Sequence, residues 1–437
     1  MKFTQVFAFM ALAGLAGSAY ATNGYFGHGY GMKAKGMAGA ATTSSDDAFG
    51  GANNPASMAY VGNRIDLGVD LFSPIREASR TGSAGGMDPG RDFSADSDSN
   101  YFLVPEFGYN RMVNNNLALG VTVYGNGGMN TNYPGGQIPA NYCGAGAPAS
   151  NGLCGQGRLG VDLMQLIIAP TAAFKIAPNH SIGVSPLLGY QRFKAEGLQA
   201  FGVDSNGGAA GGNNLGYDDS FGYGVRVGYM GKITPTVSIG AAYASQMKFD
   251  EFGKYAGLFA EQGGFDIPEN YNLGVAWQAT PVVKLALDYQ RINYSKINSI
   301  ANPAASPGSL GANNGPGFGW DDIDVWKLGV EYKYTPKLML RAGYSHTDSP
   351  IKGANAAGCG AGSENCAEVM FNILAPAVIE DHVTLGFTYT LASGNEVTMA
   401  YMHAFKNEVS GYNPNFGGTD NIKMYQNSLG IQYSWKM

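Results

Sequence analysis

The chain has 437 residues, of which 65 are Gly and only 14% are charged, against about 25% in an average globular protein. Aromatic residues reach 12%, with 26 Tyr and 22 Phe, yet mean hydropathy is slightly negative at -0.11. No interior stretch approaches the roughly 18 consecutive apolar residues of a membrane helix, which excludes a helical membrane protein. A net charge of -6 with 27 Lys and Arg gives no basic field for nucleic acid. Abundant Tyr and Gly, few charges and no long apolar run make up the composition of a closed membrane β-barrel.

The N-terminus carries Lys2, an apolar run from Val6 to Ala16, and small residues ending Ala19-Tyr20-Ala21. This is the pattern of a secretory signal peptide over residues 1–21, with Thr22 as the first residue after cleavage. Residues 22–60 follow without alternation. They contain Gly24, Gly27, Gly29, Gly31, Gly36 and Gly39, then Asp46-Asp47-Ala48 and Asn54-Pro55-Ala56. Nearly forty residues before the first strand are too many for a simple tail, and small residues permit close packing. A compact plug inside the lumen is the expectation. Gly31 and Gly36 have the spacing of a phosphate loop, but Met37 and Ala38 stand where Lys and Ser or Thr are required. No cofactor is expected.

From residue 61 to 437 one pattern recurs. Leu285, Leu287 and Tyr289 alternate with Lys284, Ala286 and Asp288; Val383, Leu385 and Phe387 alternate with His382, Thr384 and Gly386; Leu429, Ile431 and Tyr433 alternate with Ser428, Gly430 and Gln432. A period of two over such lengths predicts strands with one face to lipid and one to a lumen. Short turns at 114–116, 178–179, 234–235, 280–281, 335–336 and 394–395 interleave with long Gly-, Asn- and Ser-rich loops near 78–98, 126–158, 198–216, 252–267, 299–319, 350–375 and 410–421. That long-short order predicts an all-β, antiparallel transmembrane barrel of about fourteen strands, with short periplasmic turns and long extracellular loops. The strand phase puts Arg226, Lys284, Asp288, Lys327, Glu331 and Arg341 in the lumen.

The four cysteines suit an oxidising compartment. Cys143 and Cys154 lie eleven apart, Cys359 and Cys366 seven apart. Of three connectivities, proximity favours Cys143 with Cys154 and Cys359 with Cys366; the first bridge is worth ~3 kcal/mol on a chain-entropy basis. Neither pair has the His or Cys-x-x-Cys spacing of a zinc site, so no metal is expected.

The Gly-rich opening with Gly36-Met37-Ala38-Gly39-Ala40, Asp46-Asp47-Ala48 and Asn54-Pro55-Ala56 resembles the N-terminal hatch of the FadL family. The likeness continues through Tyr124-Gly125, Asp266-Ile267-Pro268-Glu269, Asp348-Ser349-Pro350 and Tyr401-Met402-His403. Family members are outer-membrane transporters of long-chain fatty acids and other hydrophobic compounds. The resemblance implies a hatch containing Asn54, Pro55 and Ala56. It also implies a kink in the third strand at Tyr124 and Gly125 that opens the wall sideways. The ligand would be caught among the extracellular loops, with the third loop and Leu258-Phe259 as walls, and released laterally into the membrane.

Arg192 and Lys194, at the loop end of the fifth strand, are either partners for a fatty-acid carboxylate or solvated rim charges. Carriers of monocyclic aromatic hydrocarbons belong to the same family, and their neutral ligands need no cation. A general porin is disfavoured by the N-terminal plug. An enzyme is disfavoured because His28, His180, His346, His382 and His403 accompany no nucleophile motif. The expected location is the outer membrane of a Gram-negative bacterium, and the expected partners are hydrophobic small molecules and membrane lipid, with the protein a monomer. The chain ends Trp435-Lys436-Met437, without the terminal aromatic residue of many barrels.

Overall fold

The computed structural model describes residues 22–83, 90–203, 211–355, 359 and 367–437, so the signal-peptide reading of residues 1–21 lies outside the described residues. From residue 64 onward, alternating side chains form fourteen long antiparallel strands. They are β1 Arg64–Thr81, β2 Phe102–Met112, β3 Leu117–Asn130, β4 Gly160–Ala177, β5 His180–Glu196, β6 Asp218–Lys232 and β7 Val237–Ala244. The second half comprises β8 Asn270–Thr280, β9 Val283–Ile292, β10 Ile323–Lys333, β11 Leu338–Thr347, β12 Asp381–Thr390, β13 Glu396–Tyr412 and β14 Thr419–Lys436. Each pairs with its sequence neighbour, and β14 pairs with β1 from Arg64↔Lys436 to Thr81↔Thr419. The sheet therefore closes on itself. Two short strands, Phe93–Asp96 on β1 and Lys248–Phe249 on β6, extend the wall at its loop end.

The two faces differ as the alternation requires. On β14, Leu429, Ile431 and Trp435 are exposed on the outside, while Ser428, Gly430, Gln432 and Ser434 are buried inside. Ile182, Val184, Val227, Leu273, Leu328 and Leu385 continue the outer apolar band on other strands. Such a surface is stable only against lipid. Near the loop end an aromatic belt marks the interface. Tyr190 donates to Asp219 at 2.6 Å, Tyr243 to Glu269 at 2.9 Å and Tyr289 to Asp324 at 2.6 Å, each pair bridging adjacent strands.

The lumen has two chemistries. Toward the loops it is apolar, with Phe72, Leu163, Phe193, Phe259, Phe265, Tyr294 and Trp320 in one continuous cluster. Toward the short turns it is ionic, and all six charges assigned inward by strand phase face it. Lys284 meets Glu331, and Arg341 lies 2.7 Å from Glu331. Arg226, Asp288 and Lys327 are buried. Residues 22–60 lie between these zones.

Candidate functional site

The N-terminal segment has too few apolar residues to form a core of its own, so its backbone is held by side chains from the surrounding wall. A single helical turn, Met32–Lys35, is seated at both ends. Gly31 N–H donates to Glu106 at 3.1 Å, Met32 N–H to Gln432 at 2.9 Å, and Lys35 Nζ lies 2.8 Å from both Asp70 and Glu106. Further along, Thr42 N–H donates to Asp288 and Ala48 N–H to Asp66, while Arg226 donates to the Gly51 carbonyl at 3.1 Å.

Charges within the segment reflect this setting. The Lys284 ammonium holds the Asp46 carboxyl well below the ordinary carboxylate range. Burial, reinforced by Asp66, pushes Asp47 up to about 7. Burial, with His382 and two lysines nearby, pushes His28 well below its ordinary value.

Asn54, Pro55 and Ala56 begin a short 3-10 helix, Pro55–Tyr60, that Asn54 caps by accepting from Ala56 N–H at 3.1 Å. Asn54 Nδ2 donates to the carbonyls of Thr42 and Tyr229. The turn presses against β5 and β6, where a Cβ at Gly228 would lie 2.0 Å from Asn54 and one at Gly183 2.4 Å from Pro55. It sits where two wall glycines make room, and Met58 of the same short helix lies against Gly120 on the third strand.

The third strand does leave the wall. β2 and β3 pair only from Phe107↔Val123 to Met112↔Ala118. Above that level β2 continues on β1, from Phe102 to Glu106, and β3 continues on β4 with a register shift between Gly125 and Gly127. From Thr122 to Asn130 every residue of β3 is buried on both faces, so alternation is lost where the strand turns inward. Its vacated edge is taken by the N-terminal segment. Gly27 N–H donates to the Asn126 carbonyl and Gly128 N–H to the Tyr25 carbonyl, both at 3.2 Å. Phe26 forms an antiparallel bridge with Gly127. The bulge is thus built from two glycines, and Gly127, which reads in the sequence as loop entry, is the one against which the plug backbone rests.

Above this contact lies the aromatic chamber. Tyr25 has Tyr294 at 5.4 Å and both Phe265 and Trp320 at 6.1 Å; Phe259 joins Phe193 at 4.7 Å and Phe265 at 4.9 Å between ring centres. Tyr294 fixes the chain start by donating to the Asn23 carbonyl at 2.6 Å. A line of amides crosses the chamber floor: Asn126 donates to Gln165, Gln165 to Gln191, and Gln191 to the Phe265 carbonyl. The third loop is closed by Cys143–Cys154, with a Cα–Cα distance of 5.4 Å. Both cysteines and Leu258 pack against the cluster, and Phe259 is buried in it. Cys366 lies outside the described residues, so the pairing expected for Cys359 does too.

Of the two readings of Arg192 and Lys194, head-group partners or solvated rim charges, the structure fits the second. Along β5, Ser181, Leu187, Gln191, Phe193 and Ala195 are buried inward, so the residues of opposite parity face outward. Arg192 stacks 3.9 Å from the Tyr217 ring centre, and Lys194 pairs with Glu196 at 2.9 Å on the outer rim. Parity with Leu188 and Tyr190 carries that signal in the sequence. The contacts of Tyr25, Lys35, Glu106 and Gly127 are not legible there.

A closed fourteen-stranded barrel, filled by its own N-terminal segment and carrying an apolar chamber beside a gap in the wall, defines an outer-membrane transport protein for hydrophobic molecules. The sequence profile of the family described as "Outer membrane protein transport protein (OMPP1/FadL/TodX)" matches residues 12–358, and the chain belongs to that family, in the Gram-negative outer membrane. No curated protein matches the chain by sequence. Solved structures of similar fold include the P. putida toluene transporter TodX, at 17% identity and TM-score 0.66, and the Ralstonia pickettii toluene transporter TbuX, at 16% and 0.62. A Pseudomonas aeruginosa FadL homologue aligns at 16% identity and TM-score 0.67. Each alignment covers 94% of this chain and 99% of the other.

Proposed function

We propose that the protein takes long-chain fatty acids from the outer surface through the aromatic chamber and releases them sideways between β2 and β3. The observation that carries this reading is the unpaired interval, with Phe102 to Glu106 on one side and Tyr124 to Asn130 on the other. Over this interval no ladder hydrogen bond joins the two strands, so the wall can part there without breaking strand pairing. Each methylene moved from water to an apolar wall gains about 0.8 kcal/mol, so partitioning alone drives a long chain inward and then into lipid. Closure of the barrel within one chain supports a monomer as the working unit.

A second reading, uptake of monocyclic aromatic hydrocarbons, is favoured by the ring-lined chamber and by the fold shared with two toluene transporters. Uptake of labelled oleate and labelled toluene, in cells with and without the protein, separates the readings. Oleate uptake that depends on the protein supports the first. Dependence of toluene alone moves the substrate to the second and keeps the route. Dependence of neither removes both.

A further inference from the structure

Arg76, on β1, is buried to 2% exposure in the apolar half of the lumen. Its Nη1 donates to the Asn130 carbonyl and lies 3.3 Å from Asn130 Oδ1. Its Nη2 donates to the Ser99 carbonyl and lies 3.4 Å from Asn100 Oδ1. Ser99 and Asn100 lead into β2 and Asn130 ends β3, so this one side chain spans the upper end of the unpaired interval. The Phe102 ring centre is 5.8 Å from the guanidinium. Arg80, four residues further along the same face, has Asp420 at 2.7 Å. Arg76 has no carboxylate at ion-pair distance among the described residues, and its Nε is buried without a hydrogen-bond partner.

A guanidinium stays charged at any ordinary pH, and burying a charge without a carboxylate in ion-pair contact is costly. Arg76 also lines a narrow cleft with Phe72, Pro74, Met129, Trp320 and Pro376, at the junction of the chamber and the gap. A fixed cation at the end of an apolar cleft has the chemistry of a hydrophobic acid in reverse: head group to the charge, tail to the rings. We infer that Arg76 anchors the carboxylate of the transported acid at the lateral opening. The inference rests on the fatty-acid reading above and assigns its head group. A carboxylate takes two parallel N–H donors from a guanidinium, and here it would displace the carbonyls of Ser99 and Asn130. Seating the head group would thereby remove one of the links between the two segments, which Asp98 N–H to the Asn132 carbonyl and Asn132 Nδ2 to Ser99 Oγ also join. A neutral hydrocarbon gains nothing from this residue.

Trp320 lines the cleft, whereas Trp277, Trp326 and Trp435 face outward. With those three replaced by Phe, Trp320 fluorescence in the purified detergent-solubilised protein reports binding. Oleate and methyl oleate form one probe pair, benzoate and toluene another, titrated at about pH 9, where the free acids are ionised. Arg76→Gln should weaken oleate binding about tenfold or more, the size of a lost charge-assisted contact. Arg76→Lys should restore part of that loss, and methyl oleate should change less than about twofold throughout. Retention of the folded barrel is checked by its heat-dependent shift on gels. Equal weakening of acid and ester would make Arg76 a structural strap only and overturn the inference, as would unchanged oleate binding in Arg76→Gln. If the unmodified protein binds toluene but not oleate, the fatty-acid reading fails; benzoate against toluene then decides the anchor by the same criterion.

Discussion

The Tyr25 carbonyl and Gly127 touch so closely that a Cβ at position 127 would lie 1.8 Å from the oxygen. The contact joins the start of the plug to the inward-turned end of β3, and it supplies the hydrogen bonds that β2 withholds. Any side chain at 127 must push the two backbones apart. Gly127→Val is expected to detach residues 25–27, fill part of the gap and lower uptake of hydrophobic ligand severalfold, with the barrel still folded. Transport assays on Gly127→Val and Gly125→Val, beside heat-shift gels, check this. Uptake undiminished in Gly127→Val would contradict the role of the contact.

Lys35 joins Asp70 of β1 to Glu106 of β2, 2.8 Å from each and almost wholly buried. Lys35→Met leaves two carboxylates without their shared cation. Breaking a buried pair in this way costs about 3–5 kcal/mol, enough to free the helical turn while the closed wall survives. Planar-bilayer recordings should show more frequent and larger openings than the unmodified protein. Unchanged conductance together with unchanged hydrogen exchange across residues 22–60 would refute the clamp.

Asp47 titrates in the plug with its carboxyl raised from 3.8 to about 7 by burial. A raised carboxyl pKa means that the fold prefers the protonated form. Its full stability is present below the ordinary carboxylate pKa and is lost as pH rises through about 7. Asp47→Asn removes that loss. Hydrogen-exchange protection of residues 42–52 should therefore rise in the variant at about pH 8 and match the unmodified protein at about pH 4, below which the linkage vanishes. Equal effects at both pH values would show that titration of Asp47 is not the cause.

Arg192 and Lys194 lie on the outer rim around Tyr217. The double variant Arg192→Gln with Lys194→Gln is expected to leave oleate uptake within about twofold, the range of an exposed charge contact. A large loss, with normal amounts of protein in the outer membrane, would return these residues to the ligand path.

The barrel is legible in the chain read residue by residue. A two-residue period is a local property, and each segment reports its own two faces without reference to its neighbours. Turn and loop lengths then order the strands, so the count, the closure and the inward charges Arg226, Lys284 and Asp288 follow from short-range pattern. The local disulfide Cys143–Cys154 belongs to the same class, because eleven residues hold its ends together. Motifs carried the N-terminal segment as a family likeness, but not its contacts. That β3 trades β2 for residues 25–27, that Asn54 and Pro55 press on Gly183 and Gly228, and that Arg76 spans the gap emerge only in the folded molecule. Each of these joins residues about twenty to one hundred and seventy positions apart. Local composition carries no record of which glycine another strand will meet. Position in space, set by closure of the whole barrel, decides it.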